Sequence, residues 1–130
     1  MDRIYLDPNV VTIDIGRDAT PQPAPGVADA LGHLADAAFE VVVIADEPPR
    51  VLAHLPVEVR AVPGLPDGPA HGSWLITDDP EAWRRLPPGL RTIFVGPKRP
   101  PSNRPLARCD VEARDLGAAV VEILTRQAMG

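Results

Sequence analysis

Three aspartates follow apolar segments of this chain and could act together. Asp7 closes the run at residues 4–7, and Asp78 and Asp79 close the run at residues 76–79. If the two runs are neighbouring parallel strands, roughly 4.8 Å apart, their terminal carboxylates meet in one cleft. Clustered carboxylates repel each other unless a proton or a cation intervenes. The pattern therefore predicts a Mg²⁺ site formed by Asp7, Asp78 and Asp79.

The same aspartates also have purely structural interpretations. Asp79 stands before Pro80, which suits the N-cap of a helix with proline at its first position. Asp7 stands before Pro8, a common start for a turn. Residue types and spacing alone leave both interpretations open.

The segments around these acids alternate between predicted strands and predicted helices. The run at 40–45 lacks polar alternation, which is typical of a strand covered on both faces in a parallel sheet. Strands are expected at 3–6, 40–45, 57–62, 73–77, 91–95 and 107–112, and helices at 25–39, 49–55, 80–86 and after Asp115. Residues 10–15 are expected to form a flap or hairpin outside the main sheet. This order predicts an α/β three-layer sandwich with a mostly parallel, Rossmann-like sheet of five or six strands.

Two helices have clear sequence signals. Pro25 suits the first position of the helix at 25–39, and an apolar stripe follows at helical spacing. Asp115 can cap the last helix. Both helices are expected to pack one apolar face against the sheet.

Composition limits the kinds of partner and the cellular compartment. The 130 residues carry a net charge of −5, contain one cysteine and are expected to form one domain over 1–130. No basic stripe favours nucleic acid, and no aliphatic run is long enough for a membrane span. The absence of a signal-like hydrophobic region and of a cysteine pair favours the cytoplasm. Trp74 and Trp83 could serve an interface with a second copy or another protein, although core packing is the favoured interpretation.

The ordered set of segments resembles the haloacid dehalogenase-like (HAD) phosphohydrolases. The segment Leu6-Asp7-Pro8-Asn9-Val10-Val11 occupies the place of that family's first motif, and Leu75-Ile76-Thr77-Asp78-Asp79 is similar to its acidic fourth motif. Further similar segments are the Pro-Gly-Val helix start at 25–34, the second-motif strand at 41–45, the following strand at 92–96 and the closing strand and helix from 109. No insertion is long enough for a cap domain, so the resemblance implies the capless form.

The resemblance also implies site residues, several of them degenerate. Asp7 keeps the place of the nucleophile, and Asn9 replaces the general acid/base, although an amide cannot shuttle a proton. Ala45 and Asp46 stand where a Ser or Thr would hold the phosphoryl group. Residues 61–75 contain no Lys or Arg to precede the fourth-motif strand.

The sequence leaves three functions open. The favoured one is a HAD-like domain that is catalytically impaired or inactive, retains a Mg²⁺ site and has a binding or regulatory role. The first alternative is an active Mg²⁺-dependent phosphatase that uses Asp7 as nucleophile and acts on a small phosphorylated ligand. Lys98 or Arg99 would then replace the lysine that the family has before its fourth-motif strand. The second alternative is a receiver-like domain for protein–protein signalling. No cofactor other than Mg²⁺ is expected.

Overall fold

The computed structural model describes residues 2–13, 22–23, 26–46, 55, 57–78, 86–95 and 111–129, without the side chains of residues 8, 9, 12, 13, 22, 23 and 129. Its strands are β1 (Arg3–Leu6), β2 (Thr12–Ile13), β3 (Gln22–Pro23), β4 (Glu40–Ile44), β5 (Val59–Val62), β6 (Trp74–Thr77), β7 (Arg91–Val95) and β8 (Val111–Ala113). Its helices are α1 (Pro8–Val11), α2 (Val27–Asp36) and α3 (Leu116–Met129).

Six of the described strands form one parallel sheet, in the spatial order β5-β4-β1-β6-β7-β8. Numbered by their order along the chain, these strands run 3-2-1-4-5-6, the order of the Rossmann fold. The predicted α/β class and parallel sheet are confirmed. β1 lies between β4 and β6, with Leu6 level with Val43 on one side and with Ile76 on the other.

Side chains alternate between the two faces along each strand, and residues on both faces of the sheet are buried. Ile4 and Leu6 belong to the larger apolar cluster, which α2 and α3 complete with Leu31, Leu34 and Ile123. Tyr5 points to the opposite face and packs with Val42, Leu75, Ala70 and Leu90. The helices predicted at 49–55 and 80–86 lie almost wholly outside the described residues.

Trp74 is buried in the larger cluster, with 4% of its surface exposed. The guanidinium of Arg91 lies 5.3 Å from the centre of its ring. Trp74 therefore packs in the core, and its side chain is not accessible to a partner. Trp83 is outside the described residues.

The predicted boundaries of α2 were wrong at both ends. Gly26 is the N-cap residue, with φ 77°, and the helix begins at Val27 rather than at Pro25. Ala38 has φ 68°, so the helix has already ended before Phe39. A residue in the left-handed region stops a right-handed helix, and sequence periodicity does not reveal such a residue when it is an alanine.

The segment after β1 combines a helical turn with a hairpin. Pro8–Val11 forms α1, in which the Val10 N–H donates to the Asp7 carbonyl oxygen at 3.0 Å. β2 pairs antiparallel with β3, which confirms the predicted hairpin outside the main sheet. The expectation that the hairpin would include Val10 and Val11 was wrong. Both residues belong to the helical turn, and their side chains are buried in the larger cluster.

Asp115 caps α3, as predicted. Its Oδ1 accepts a hydrogen bond from the Ala118 N–H at 2.8 Å. α3 contains 14 residues. In the described part of the chain, no helix combines the length and apolar character that a bilayer crossing requires.

Candidate functional site

Asp7 lies at the carboxyl end of β1, held between main-chain and side-chain contacts. Its N–H donates to the Ile76 carbonyl oxygen at 2.9 Å, which continues the β1–β6 ladder by one residue. Its surface is 8% exposed. A carboxylate at this depth needs polar partners, because burial without them is costly.

Thr77, the last residue of β6, is one such partner. Its hydroxyl donates to Oδ2 of Asp7 at 3.0 Å, and the Thr77 surface is completely buried. The sequence indicated Thr77 only as the end of a strand, so its contact with Asp7 was missed. A threonine that ends an apolar strand immediately before an acidic pair is a signal that could have suggested the contact.

Asp78 follows β6 directly and is exposed. Because Leu6 is level with Ile76, Asp7 stands level with Thr77 and Asp78 comes one residue later. Asp7 and Asp78, from the two acidic segments at residues 4–7 and 76–79, therefore follow neighbouring strands of the sheet, as expected. Asp79 lies outside the described residues. Within the described ranges, no group of three or more His, Cys, Asp and Glu side chains is arranged to hold a metal ion.

The degenerate positions of the first and second motifs lie at the same edge. Asn9 belongs to α1, and its side chain is outside the described part of the structure. Ala45 and Asp46 follow β4, the other neighbour of β1. The Ala45 N–H donates to the Val62 carbonyl oxygen at 2.9 Å, and Asp46 is exposed. An aspartate therefore follows each of the three adjacent strands β4, β1 and β6, directly or two residues after the strand ends.

The described cations of the sheet lie toward the opposite edge. Arg3 and Arg91 are the first residues of β1 and β7, and Arg60 is the second residue of β5. Hydrogen bonds to Tyr5 and then to Glu40 raise the pKa of Arg3 above its usual value. Directly after β1, β4 and β6, the described residues include no Lys or Arg. Among the described residues, the part of the carboxyl edge near Asp7 is therefore acidic, which attracts cations and repels anions.

The donor set at this edge suits a small hard cation. Mg²⁺ is usually held by one or two carboxylates and keeps several of its waters. Asp7 and Asp78 provide carboxylates after adjacent parallel strands. The described residues therefore fit Mg²⁺ without requiring a dedicated cage of protein ligands.

Neither family models nor curated protein sequences match this chain. Solved structures do. D,D-heptose 1,7-bisphosphate phosphatase from Burkholderia thailandensis is 20% identical, with a TM-score of 0.62 over 96% of this chain and 99% of that one. The D,D-heptose 1,7-bisphosphate phosphatase from B. bronchiseptica, solved in complex with magnesium and phosphate, is 18% identical, with a TM-score of 0.58 over 97% of this chain and 99% of that one.

The chain has the capless HAD-like fold. The likeness extends over nearly the whole length of both proteins, which agrees with the strand order and with the Asp7 position at the end of β1. At this level of identity the likeness concerns the fold alone. The chemistry of the site must be argued from the residues of this chain.

Proposed function

We propose that this chain is a HAD-like domain that binds a divalent cation at the carboxyl ends of β1 and β6 and does not hydrolyse phosphoesters. The supporting observation is the distribution of charge at that edge. Asp7 and Asp78 follow adjacent strands, and Asp46 follows the strand on the other side of β1. The described residues directly after these strands include no cationic side chain that would offset a phosphate.

Asp7 and Asp78 would hold the ion, with Asp79 assisting. A bound Mg²⁺ supplies positive charge, which offsets the carboxylates and can accept an anionic oxygen of a ligand. Asp7 is the better positioned of the two described ligands, because Thr77 and the β6 backbone fix it from one side. Asp78 is exposed and would provide the second carboxylate from the solvent side of the site.

The remaining groups are poorly suited to phosphoryl transfer. That reaction depends on cationic stabilisation and accurate positioning of the phosphoryl oxygens. Asn9 cannot move a proton in place of a carboxylate, and such transfers contribute roughly 10²–10⁴-fold to rate. Ala45 has no hydroxyl to hold the phosphoryl group, and the exposed Asp46 repels it. The combined loss favours a binding or regulatory role, exercised through a protein partner or a second copy of the chain.

A panel of phosphoesters, assayed with Mg²⁺, tests the loss of hydrolysis. Wild-type protein and Asp7→Asn are expected to release phosphate at the same background rate. Asp29→Asn, which changes an exposed carboxylate on α2, is the matched control for net charge. Turnover that is present in the wild type and in Asp29→Asn, but lost in Asp7→Asn, would overturn the proposal.

The same result would favour the second candidate, an active phosphatase with Asp7 as nucleophile. This candidate is favoured by the position of Asp7, buried at the end of β1, and by the phosphatase activity named for the two structural neighbours. It requires a substitute for the missing cation, and Lys98 and Arg99 lie outside the described residues. The strand order argues against the receiver-like alternative, because receiver sheets have the order 2-1-3-4-5 and this sheet does not.

A further inference from the structure

The hydrogen bond between Thr77 and Asp7 restricts how the Asp7 carboxylate can bind a metal. The Thr77 hydroxyl donates to Oδ2 at 3.0 Å, and both residues are buried. The Asp7 N–H donates to the carbonyl oxygen of Ile76, which precedes Thr77 on β6. The carboxylate therefore cannot rotate about its own axis without breaking a buried contact, which is costly when the donor is left unsatisfied.

Mg²⁺ and Ca²⁺ make different demands on such a carboxylate. Mg²⁺ requires near-octahedral geometry with oxygens at about 2.1 Å, and it takes carboxylates through single oxygens. Ca²⁺ accepts roughly six to eight oxygens at about 2.3–2.6 Å and often binds both oxygens of one carboxylate. Binding Ca²⁺ through both oxygens of Asp7 would compete with the Thr77 hydroxyl for Oδ2.

We infer that Thr77 is a positioning residue that restricts Asp7 to single-oxygen binding and so makes the site selective for Mg²⁺ over Ca²⁺; the inference rests on the divalent-cation site of the proposed function. The hydroxyl acts through Asp7 and need not touch the ion. Partners of this kind commonly change metal affinity by about 10–100-fold.

Calorimetric titration with MgCl₂ and with CaCl₂ tests this role, because the ratio of the two dissociation constants reports selectivity. Thr77→Val removes the hydroxyl and keeps the branched shape, and it is expected to reduce the preference for Mg²⁺ by about tenfold or more. Thr77→Ser keeps the hydroxyl and is expected to restore the wild-type ratio. Thr77→Ala also removes the hydroxyl and does not require valine to fit the site. It should change the ratio of the two dissociation constants in the same direction as Thr77→Val.

Thr92→Val is the matched control. Thr92 is also buried, on β7, but it is level with Leu75 rather than with Thr77 and so lies away from Asp7. Its ratio should equal that of the wild type. An unchanged ratio in folded Thr77→Val or Thr77→Ala, with Mg²⁺ still bound by the wild type, would overturn the role of Thr77 alone. Failure of the wild type to bind either ion at millimolar concentrations would instead overturn the cation site and this role with it.

Discussion

Leu6 of β1 lies level with Ile76 of β6, and both side chains are completely buried in the same apolar cluster. This register places Asp7 beside Thr77 and puts Asp78 one residue further along. A shift by one residue would turn every side chain of the strand to the other face. The apolar pairing therefore fixes the positions of the polar residues that follow it.

Truncation of Ile76 should destabilise the fold strongly. Ile76→Ala removes buried methyl groups from the larger cluster and should lower the free energy of unfolding by about 2–5 kcal/mol. Urea denaturation measures this change. Val121→Ala is the comparison, because Val121 is 62% exposed on α3 and its truncation should change stability by less than about 0.5 kcal/mol. Similar losses for the two variants would contradict the described core.

Gly89 is expected to be sensitive to substitution for two separable reasons. It has φ 82°, and a Cβ at this position would overlap the ring of His71. Gly89→Ala should therefore lower the free energy of unfolding by about 1–2 kcal/mol from the backbone conformation alone, with an additional steric cost. Thermal or urea denaturation of the variant measures the sum.

Adding His71→Ala separates the two contributions. The histidine is exposed, so its truncation alone should have little effect. In the double variant the steric part should be relieved and the backbone part should remain, giving a coupling between the two positions. Strictly additive effects would show that the ring does not occupy the space beside Gly89.

Removal of the α3 cap should also be measurable. Asp115→Ala leaves the Ala118 N–H without its side-chain acceptor and should cost about 0.5–2 kcal/mol in the free energy of unfolding. Gln127→Ala, at an exposed position of the same helix, is the control and should be neutral or slightly stabilising. Equal stability of Asp115→Ala and wild type would argue against the cap.

The two exposed acids at the carboxyl edge should differ in their effect on cation binding. Asp78→Asn removes a proposed ligand and should weaken Mg²⁺ binding by about tenfold or more. Asp46→Asn removes the same charge beyond β4 and should weaken binding by less than about threefold, since an exposed charge acts through screened solvent. Calorimetric titration compares the variants. Equal weakening would mean that Asp78 contributes only its charge.

Much of this fold could be predicted from apolar patterning. The strands at 3–6 and 91–95 have the predicted bounds. Each is a short run with a clear sequence boundary, set by Asp7 after the first strand and by the Pro87-Pro88-Gly89 turn and Gly96 around the second. The parallel character followed from the continuous apolar run at 41–44 in β4, whose central residues are buried. The Asp115 cap was predictable because its signal is local.

The parts that the sequence did not predict depend on backbone angles and on contacts between distant residues. Nothing in its residue type marks Ala38 as left-handed, and Val10 and Val11 have β propensity although a helical turn buries them. The contact of Thr77 with Asp7 joins residues that are 70 positions apart. It becomes visible only when the β1–β6 register is known.

A crystal soaked in MnCl₂, an anomalous scatterer that substitutes for Mg²⁺, tests the central claim most directly. We expect an anomalous peak about 2.1–2.2 Å from a carboxylate oxygen of Asp7, with a second contact from Asp78 and waters at the remaining positions. A peak only elsewhere on the protein, or a lysine or arginine side chain occupying the space between Asp7 and Asp78, would contradict the account.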